Sequence, residues 1–140
     1  MSLCVTAAGT TVTLAASLFT LSWTHTIERV PWEEDWRIER GRLVLTEARV
    51  KGSGAGMEPP AGAVLSRGWW RYRPDLPGQE LLSLATSAAA AGGWRLCAGE
   101  SCLTLGTSGA DDGPIEISPC EIRSRRGIEP DPRQDQRSAE

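Results

Sequence analysis

Between Leu18 and Glu28 the chain alternates. Phe19, Leu21, Trp23, His25 and Ile27 occupy every second position, and Thr20, Ser22, Thr24, Thr26 and Glu28 fill the positions between. A period of two places these sets on opposite faces of a β-strand. Val30-Pro31 ends the run, because proline has no N–H for a ladder. A second run comes next, with Glu34, Trp36 and Ile38 on one face and Asp35, Arg37 and Glu39 on the other. The pattern predicts a main hairpin from residues 18 to 29 and 34 to 40. A tight turn at Pro31-Trp32 would set Arg29 opposite Glu34, and a longer loop would set His25 there. Either register keeps His25, Glu34 and Trp36 on one face, whereas a one-residue slip would carry Glu34 to the other.

The same signals recur along the chain. Leu3 to Val5 and Val12 to Leu14 read as strands around a turn. Arg40-Gly41 reads as a tight turn into RLVLTEARV. GSGAGMEPPAG is a loop by its glycines and prolines. GWWRYR resumes as a strand, PDLPG turns into ELLSLATS, and AAAAGG connects to GWRLCAGESCLTL, where a strand, a turn and a strand succeed one another. TSGADDG is a further loop before the last strand, PIEISPC. The alanine run from Ala88 to Ala91 is too short for a helix of its own. Beyond it, Glu121 to Glu140 carries five acids and five arginines with no apolar period, the composition of a disordered tail. The expectation is an all-β, single-domain antiparallel β-sandwich or small barrel of about eight to ten short strands, over residues 1–120, with a polar disordered tail over 121–140.

Composition sharpens this in a few places. A chain of 140 residues has room for one domain with a real core. Its net charge of −3 is spread along the chain, so no basic stripe offers itself to nucleic acid. The least polar stretch, Leu3 to Trp23, is interrupted by seven threonines and serines. It has no basic residue before Arg29, and so reads neither as a transmembrane segment nor as a secretory signal. Six tryptophans against one phenylalanine and one tyrosine are unusual. Large amphipathic rings suit sheet faces, and they also suit binding surfaces.

Four cysteines add a covalent expectation. Cys97 and Cys102 face each other across a short hairpin, which meets disulfide geometry. Cys4 lies near the start of the chain and Cys120 ends the last strand, so a second bridge would tie the domain's ends together. Chain entropy gives ~2 kcal/mol for the short loop and ~5 kcal/mol for the long one. The alternative, four thiolates on zinc, wants paired knuckles that Cys4 does not have. Disulfides imply an oxidising compartment, periplasmic or otherwise extracytoplasmic, whereas the missing signal would place reduced thiols in a cytoplasm.

Candidate chemistry converges on the main hairpin. His25, Glu34 and Trp36 share a face, and GSGAGM is a short loop that can fold over them. One reading is a half-buried imidazole and carboxylate in a tryptophan-lined depression. The plainer reading is a core histidine with an Arg29–Glu34 ion pair. His25-x-x-Glu28 is a weak chelate, since on a strand the two side chains leave opposite faces. Glu33-Glu34-Asp35 lacks the glycine-turned loop of a hand-type calcium site. GSGAGM departs from the dinucleotide fingerprint, whose last gap is longer and which opens a helix. No serine lies in a nucleophile elbow, so neither catalytic residues nor a metal nor a cofactor is assigned.

These residues resemble a family of bacterial proteins, the domain of unknown function 1850 family. The resemblance rests on Cys4, on His25-Thr26-Ile27-Glu28, on Trp32-Glu33-Glu34-Asp35-Trp36, on Gly54-Ala55-Gly56-Met57, and on the late cysteines Cys97, Cys102 and Cys120. It spans roughly residues 2 to 120. Threonine stands at 26 where the family pattern has serine, and the hydroxyl survives. The resemblance implies genes beside tripartite ATP-independent periplasmic transporters, hence an extracytoplasmic binding or accessory module whose partner is a membrane transporter or its solute. Relatives carry a hydrophobic leader that is not visible here. The candidate ligand-binding set is then His25, Glu28, Glu34, Trp36, Gly52, Gly54 and Gly56. A hydrolase-like or metal-dependent enzyme using His25 and Glu34 is the second reading, and a purely structural interaction domain the third.

Overall fold

The computed structural model of the chain describes residues 1–25, 29–52, 61–85, 90–106 and 113–121, with the backbone alone for residues 25 and 90–92. The described residues form eleven strands and no helix. Four make one antiparallel sheet, ordered β2 (Thr10–Leu14), β1 (Ser2–Ala7), β11 (Ile115–Cys120), β8 (Leu82–Leu84). Seven make the other, ordered β10 (Ser101–Leu105), β9 (Ala90–Ala98), β3 (Leu18–His25), β4 (Pro31–Glu39), β5 (Arg42–Lys51), β7 (Trp69–Tyr72), β6 (Val64–Ser66).

The core lies between the two sheets. Leu3, Val5, Ile115 and Ile117 from the smaller sheet belong to one buried cluster with Phe19, Leu21, Trp36, Leu43, Leu45 and Leu96 from the larger. Each such side chain contributes about 1.5–3 kcal/mol by leaving water. The alternation seen in the sequence is what makes this possible, because it gives each strand one apolar face. The sandwich is therefore the architecture, with eleven strands where about eight to ten were expected.

Tight turns set several registers. Ala8-Gly9, Arg40-Gly41 and Arg67-Gly68 each have positive φ at both central residues, the type I′ geometry that suits the twist of a two-residue hairpin. Gly99 has φ 60 ahead of Glu100, which fits the related turn with glycine first.

The main hairpin forms, but its register differs from both expected ones. Glu34 stands opposite Leu21, and Trp23 opposite Trp32. Neither Arg29 nor His25 faces Glu34. β4 starts at Pro31, where a first strand position tolerates a missing N–H, so the connection is longer than the sequence implied. Two cross-strand aromatic pairs fit this register: Phe19–Trp36 with centroids at 6.4 Å and Trp23–Trp32 at 6.1 Å, both nearly parallel. Arg29 is exposed and makes no ion pair with Glu34.

Two further differences concern the edges. Ala90 and Ala91 belong to β9, not to a connection. Val64–Ser66 forms an edge strand that the sequence did not announce. The tail beyond Glu121 and most of the GSGAGM loop lie outside the described residues.

Two bulges shape the larger sheet. In β5, Leu43 and Leu45 face the core, yet so do Ala48 and Val50, which a strict period of two forbids. The β4–β5 register shifts between Asp35 and Trp36, leaving Thr46 as the extra residue, and Thr46 Oγ1 donates to the Asp35 carbonyl at 3.0 Å. In the β3–β9 ladder the pairing jumps from Ser22–Arg95 to Thr24–Ala91. The excess falls on β9 around Gly93, whose φ of 80 requires glycine or a strained residue.

The cysteines lie as two separate pairs. Cys97 and Cys102 are direct partners in the β9–β10 ladder with Cα atoms 4.1 Å apart. Cys4 and Cys120 join β1 to β11 with Cα atoms 5.8 Å apart. This separation into pairs removes the four-thiolate zinc reading.

Candidate functional site

The two faces of β4 divide the chemistry. Trp32, Glu34 and Trp36 project to the inner side, Glu33, Asp35 and Arg37 to the outer. On the inner side Trp36 Nε1 donates to Glu34 Oε1 at 3.4 Å. Burial pushes the Glu34 carboxyl above its usual range, only partly offset by that bond. Among the described residues no cation pairs with it. Tyr72 lies close enough that its phenol is raised by burial and by the Glu34 charge. Trp32 Nε1 is buried without a hydrogen-bond partner, an unusual state for an indole N–H.

Of the expected site, then, the structure brings Glu34 and Trp36 together. His25 lies in β3 with its backbone opposite Ala90. Gly52 donates its N–H to the Gly68 carbonyl at 3.1 Å, four positions beyond Ala48, the ladder partner of Glu34, or about 13 Å along the strand. Glu28, Gly54 and Gly56 lie outside the described residues.

On the outer side, Arg49 is the hub of a charge network. It reaches Glu33 at 3.0 Å, Asp35 at 2.8 Å and Glu47 at 3.2 Å, and Arg71 meets Glu47 at 2.7 Å. Burial alone would raise the Asp35 carboxyl, but hydrogen bonds from Arg49 and Thr20 and the charges of Arg49 and Arg71 hold it below its usual range. The bond to Asp35 correspondingly raises Arg49. These groups satisfy one another.

Beside this network a groove of about 530 Å³ crosses the strands, a size that suits a small molecule. Four of the six tryptophans are among its lining residues: Trp69 on the outer face, and Trp23, Trp32 and Trp94 at strand positions whose indoles turn inward to the core side. Trp23 packs against both Trp32 and Trp94, and Trp94 Nε1 is anchored on the Ala85 carbonyl at 3.0 Å. Gly93, at the bulge, forms part of the wall. The polar lining comes from Ser22, Thr24, Glu33, Arg95 and Thr104. Among the described residues the Arg95 guanidinium and the hydroxyls of Thr24 and Thr104 have no partner.

A second depression, of about 420 Å³, lies between Thr20, Asp35, Thr46 and Cys97. Its polar groups are already committed: Thr20 to Asp35 at 2.8 Å, Thr46 to the Asp35 backbone, and Asp35 to Arg49. Among the described residues no three His, Cys, Asp or Glu side chains converge as metal ligands, and no helix is long and apolar enough to cross a membrane.

Sequence reasoning passed over Arg95, Thr104 and Trp69, because outward positions on a strand read as a solvated face. The signals that could have found them are the tryptophan excess and Gly92-Gly93 inside an otherwise regular strand, which marks a bulge or a close approach.

A model of the family described as Domain of unknown function (DUF1850) matches residues 19–105, which include every strand lining the groove. No curated protein and no solved structure matches the chain.

Proposed function

For this chain, which belongs to the DUF1850 family, we propose a role as a small-molecule binding module outside the cytoplasm. The observation that carries the reading is the groove: Trp69 and several polar side chains, three of them without a partner among the described residues, line a depression of ligand size. Arg95 and Thr104 are exposed and free to exchange water for a solute, and a depression with a few polar groups and an aromatic wall is the ordinary form of a small-molecule site. Two cysteine pairs at disulfide distance support an oxidising compartment such as the periplasm. An accessory role for a tripartite ATP-independent periplasmic transporter rests on the family resemblance.

A ligand-observed NMR screen of solutes tests this. Expected are compounds whose signals broaden with the native protein and recover with Trp69→Ala. A screen whose hits are indifferent to that substitution would leave the interaction-domain reading in place.

One observation favours a second seat, the inner face at Glu34 and Trp36, two members of the expected ligand-binding set. Glu34 carries no cationic partner among the described residues, and Trp32 Nε1 beside it is orphaned. A raised carboxyl in an apolar setting is also what a hydrolase-like enzyme would use as its acid. If Glu34→Gln abolishes binding or turnover while Arg95→Gln does not, the inner face is the site.

A further inference from the structure

Resting on the binding-module reading above, we infer that the groove selects a small carboxylate with a planar or apolar body, and that Arg95 is the residue that selects it. The charged side chains lining the groove are Glu33 from β4 and Arg95 from β9. They are not equivalent. Glu33 is paired with Arg49, whose Nε lies 3.0 Å from its carboxylate and whose guanidinium is shared with Asp35 and Glu47. Arg95 is exposed and has no carboxylate within ion-pair distance among the described residues. Arg49 and Arg71 against Glu33, Asp35 and Glu47 leave the neighbouring network at −1, and Arg95 with Lys51 brings this face to +1. Lys51 stands at the far wall, with Nζ 5.8 Å from the centre of the Trp69 ring.

The ladder surrounds Arg95 with hydroxyls. Thr104 is its direct partner in β10 and Ser22 its direct partner in β3. In a two-residue hairpin the pair flanking the turn exchanges hydrogen bonds, and the pairs alternate from there. Cys97–Cys102 is thus a non-hydrogen-bonded pair, as its 4.1 Å Cα separation indicates. Arg95–Thr104, two residues on, repeats that class, in which side chains stand closest. The result is a guanidinium fork flanked by Thr104 and Ser22, the arrangement that receives a carboxylate in bidentate fashion. Trp69, the ladder partner of Lys51 on the same outer face, supplies apolar and π surface for the rest of the molecule. A cation of the same shape meets Arg95 unfavourably, and a neutral analogue leaves it unpaired.

Three probes that share a ring and differ in charge separate these possibilities: phenylacetate, phenethyl alcohol and phenethylamine. The indole N–H resonances of the full-length, oxidised protein are followed on titration at low salt, with Trp69→Phe identifying the groove signal. Phenylacetate is expected to move the Trp69 resonance and to bind about ten-fold tighter than either analogue. The preference should shrink as salt rises. Arg95→Gln, which removes an exposed side chain with no ion pair, should melt like the native protein and bind all three probes about equally weakly. Equal or tighter binding of phenethylamine, or an unchanged preference in Arg95→Gln, overturns the inference and leaves the groove a binding site of another specificity. If no probe moves any groove tryptophan, the inference falls together with the binding-module reading.

Discussion

Arg49 holds both oxygens of Asp35, at 2.8 and 3.2 Å, although the β4–β5 ladder places Glu33 directly opposite it and sets Asp35 against Glu47. The guanidinium thus spans a diagonal while its Nε still serves Glu33. One cation thereby organises three carboxylates on the outer face, and its side chain is only 13% exposed.

Arg49→Met should therefore destabilise the domain by about 2–3 kcal/mol. The loss comes from leaving Glu33, Asp35 and Glu47 facing each other without their common partner, and the partial exposure of the carboxylates keeps it below the cost of a fully buried pair. Urea denaturation measures it. A change under about 0.5 kcal/mol, the range of an ordinary surface substitution, would show the network to be ornamental.

Glu34 and Asp35 are neighbours with opposite pH dependence. Glu34 is raised above its usual 4.5 by burial, so its contribution favours the folded state below that value and is lost as pH rises through the raised pKa. Asp35 is lowered from 3.8, so its contribution is present above that value and is lost as pH falls through the lowered pKa. Glu34→Gln should match the native protein near pH 4 and melt higher than it at pH 7. Melting curves across that window decide the matter. A native protein that instead gains on Glu34→Gln as pH rises would mean that Glu34 has an ionic partner.

The two cysteine pairs close loops of very different length, with sequence separations of 116 and 5. Chain entropy assigns about 5 kcal/mol to Cys4–Cys120 and about 2 kcal/mol to Cys97–Cys102. Replacing the first pair with serine should remove most of the stability of a domain this size, about 5–15 kcal/mol in all, whereas replacing the second should leave a folded protein. Equal melting temperatures for the two double variants would contradict this.

Gly41 turns the chain from β4 into β5 at φ 74. Gly41→Ala should cost about 1–2 kcal/mol, the penalty of the left-handed conformation for a residue with a Cβ. Space is not the limit there, since the nearest heavy atom to a Cβ at this position would be Met1 Cε at 3.6 Å. Thermal or urea denaturation of the variant measures the cost. A stability equal to the native protein's would show that the turn relaxes to another type.

The sequence by itself determined the strand periodicity, the inner and outer faces of β3 and β4, the Arg40-Gly41 turn and both cysteine pairings. Each of these depends on neighbours within one strand or hairpin, or on the two cysteines that a short turn leaves unmatched. Glu34 and Trp36 could be placed on one face because any register of the same parity preserves that relation. The tertiary structure decided the register itself, which depends on the length of the connection before Pro31 and accords with the stacking of Trp23 on Trp32. It also decided the two bulges. A bulge arises where apolar residues of the wrong parity, such as Ala48 and Val50 after Leu43 and Leu45, are all drawn into one core. The groove depends on the second of them. Ser22, Arg95 and Thr104 are distant in sequence and individually ordinary. They become neighbours only because β3, β9 and β10 lie side by side, and which outward residues meet across strands is set by pairing energy that no local pattern contains.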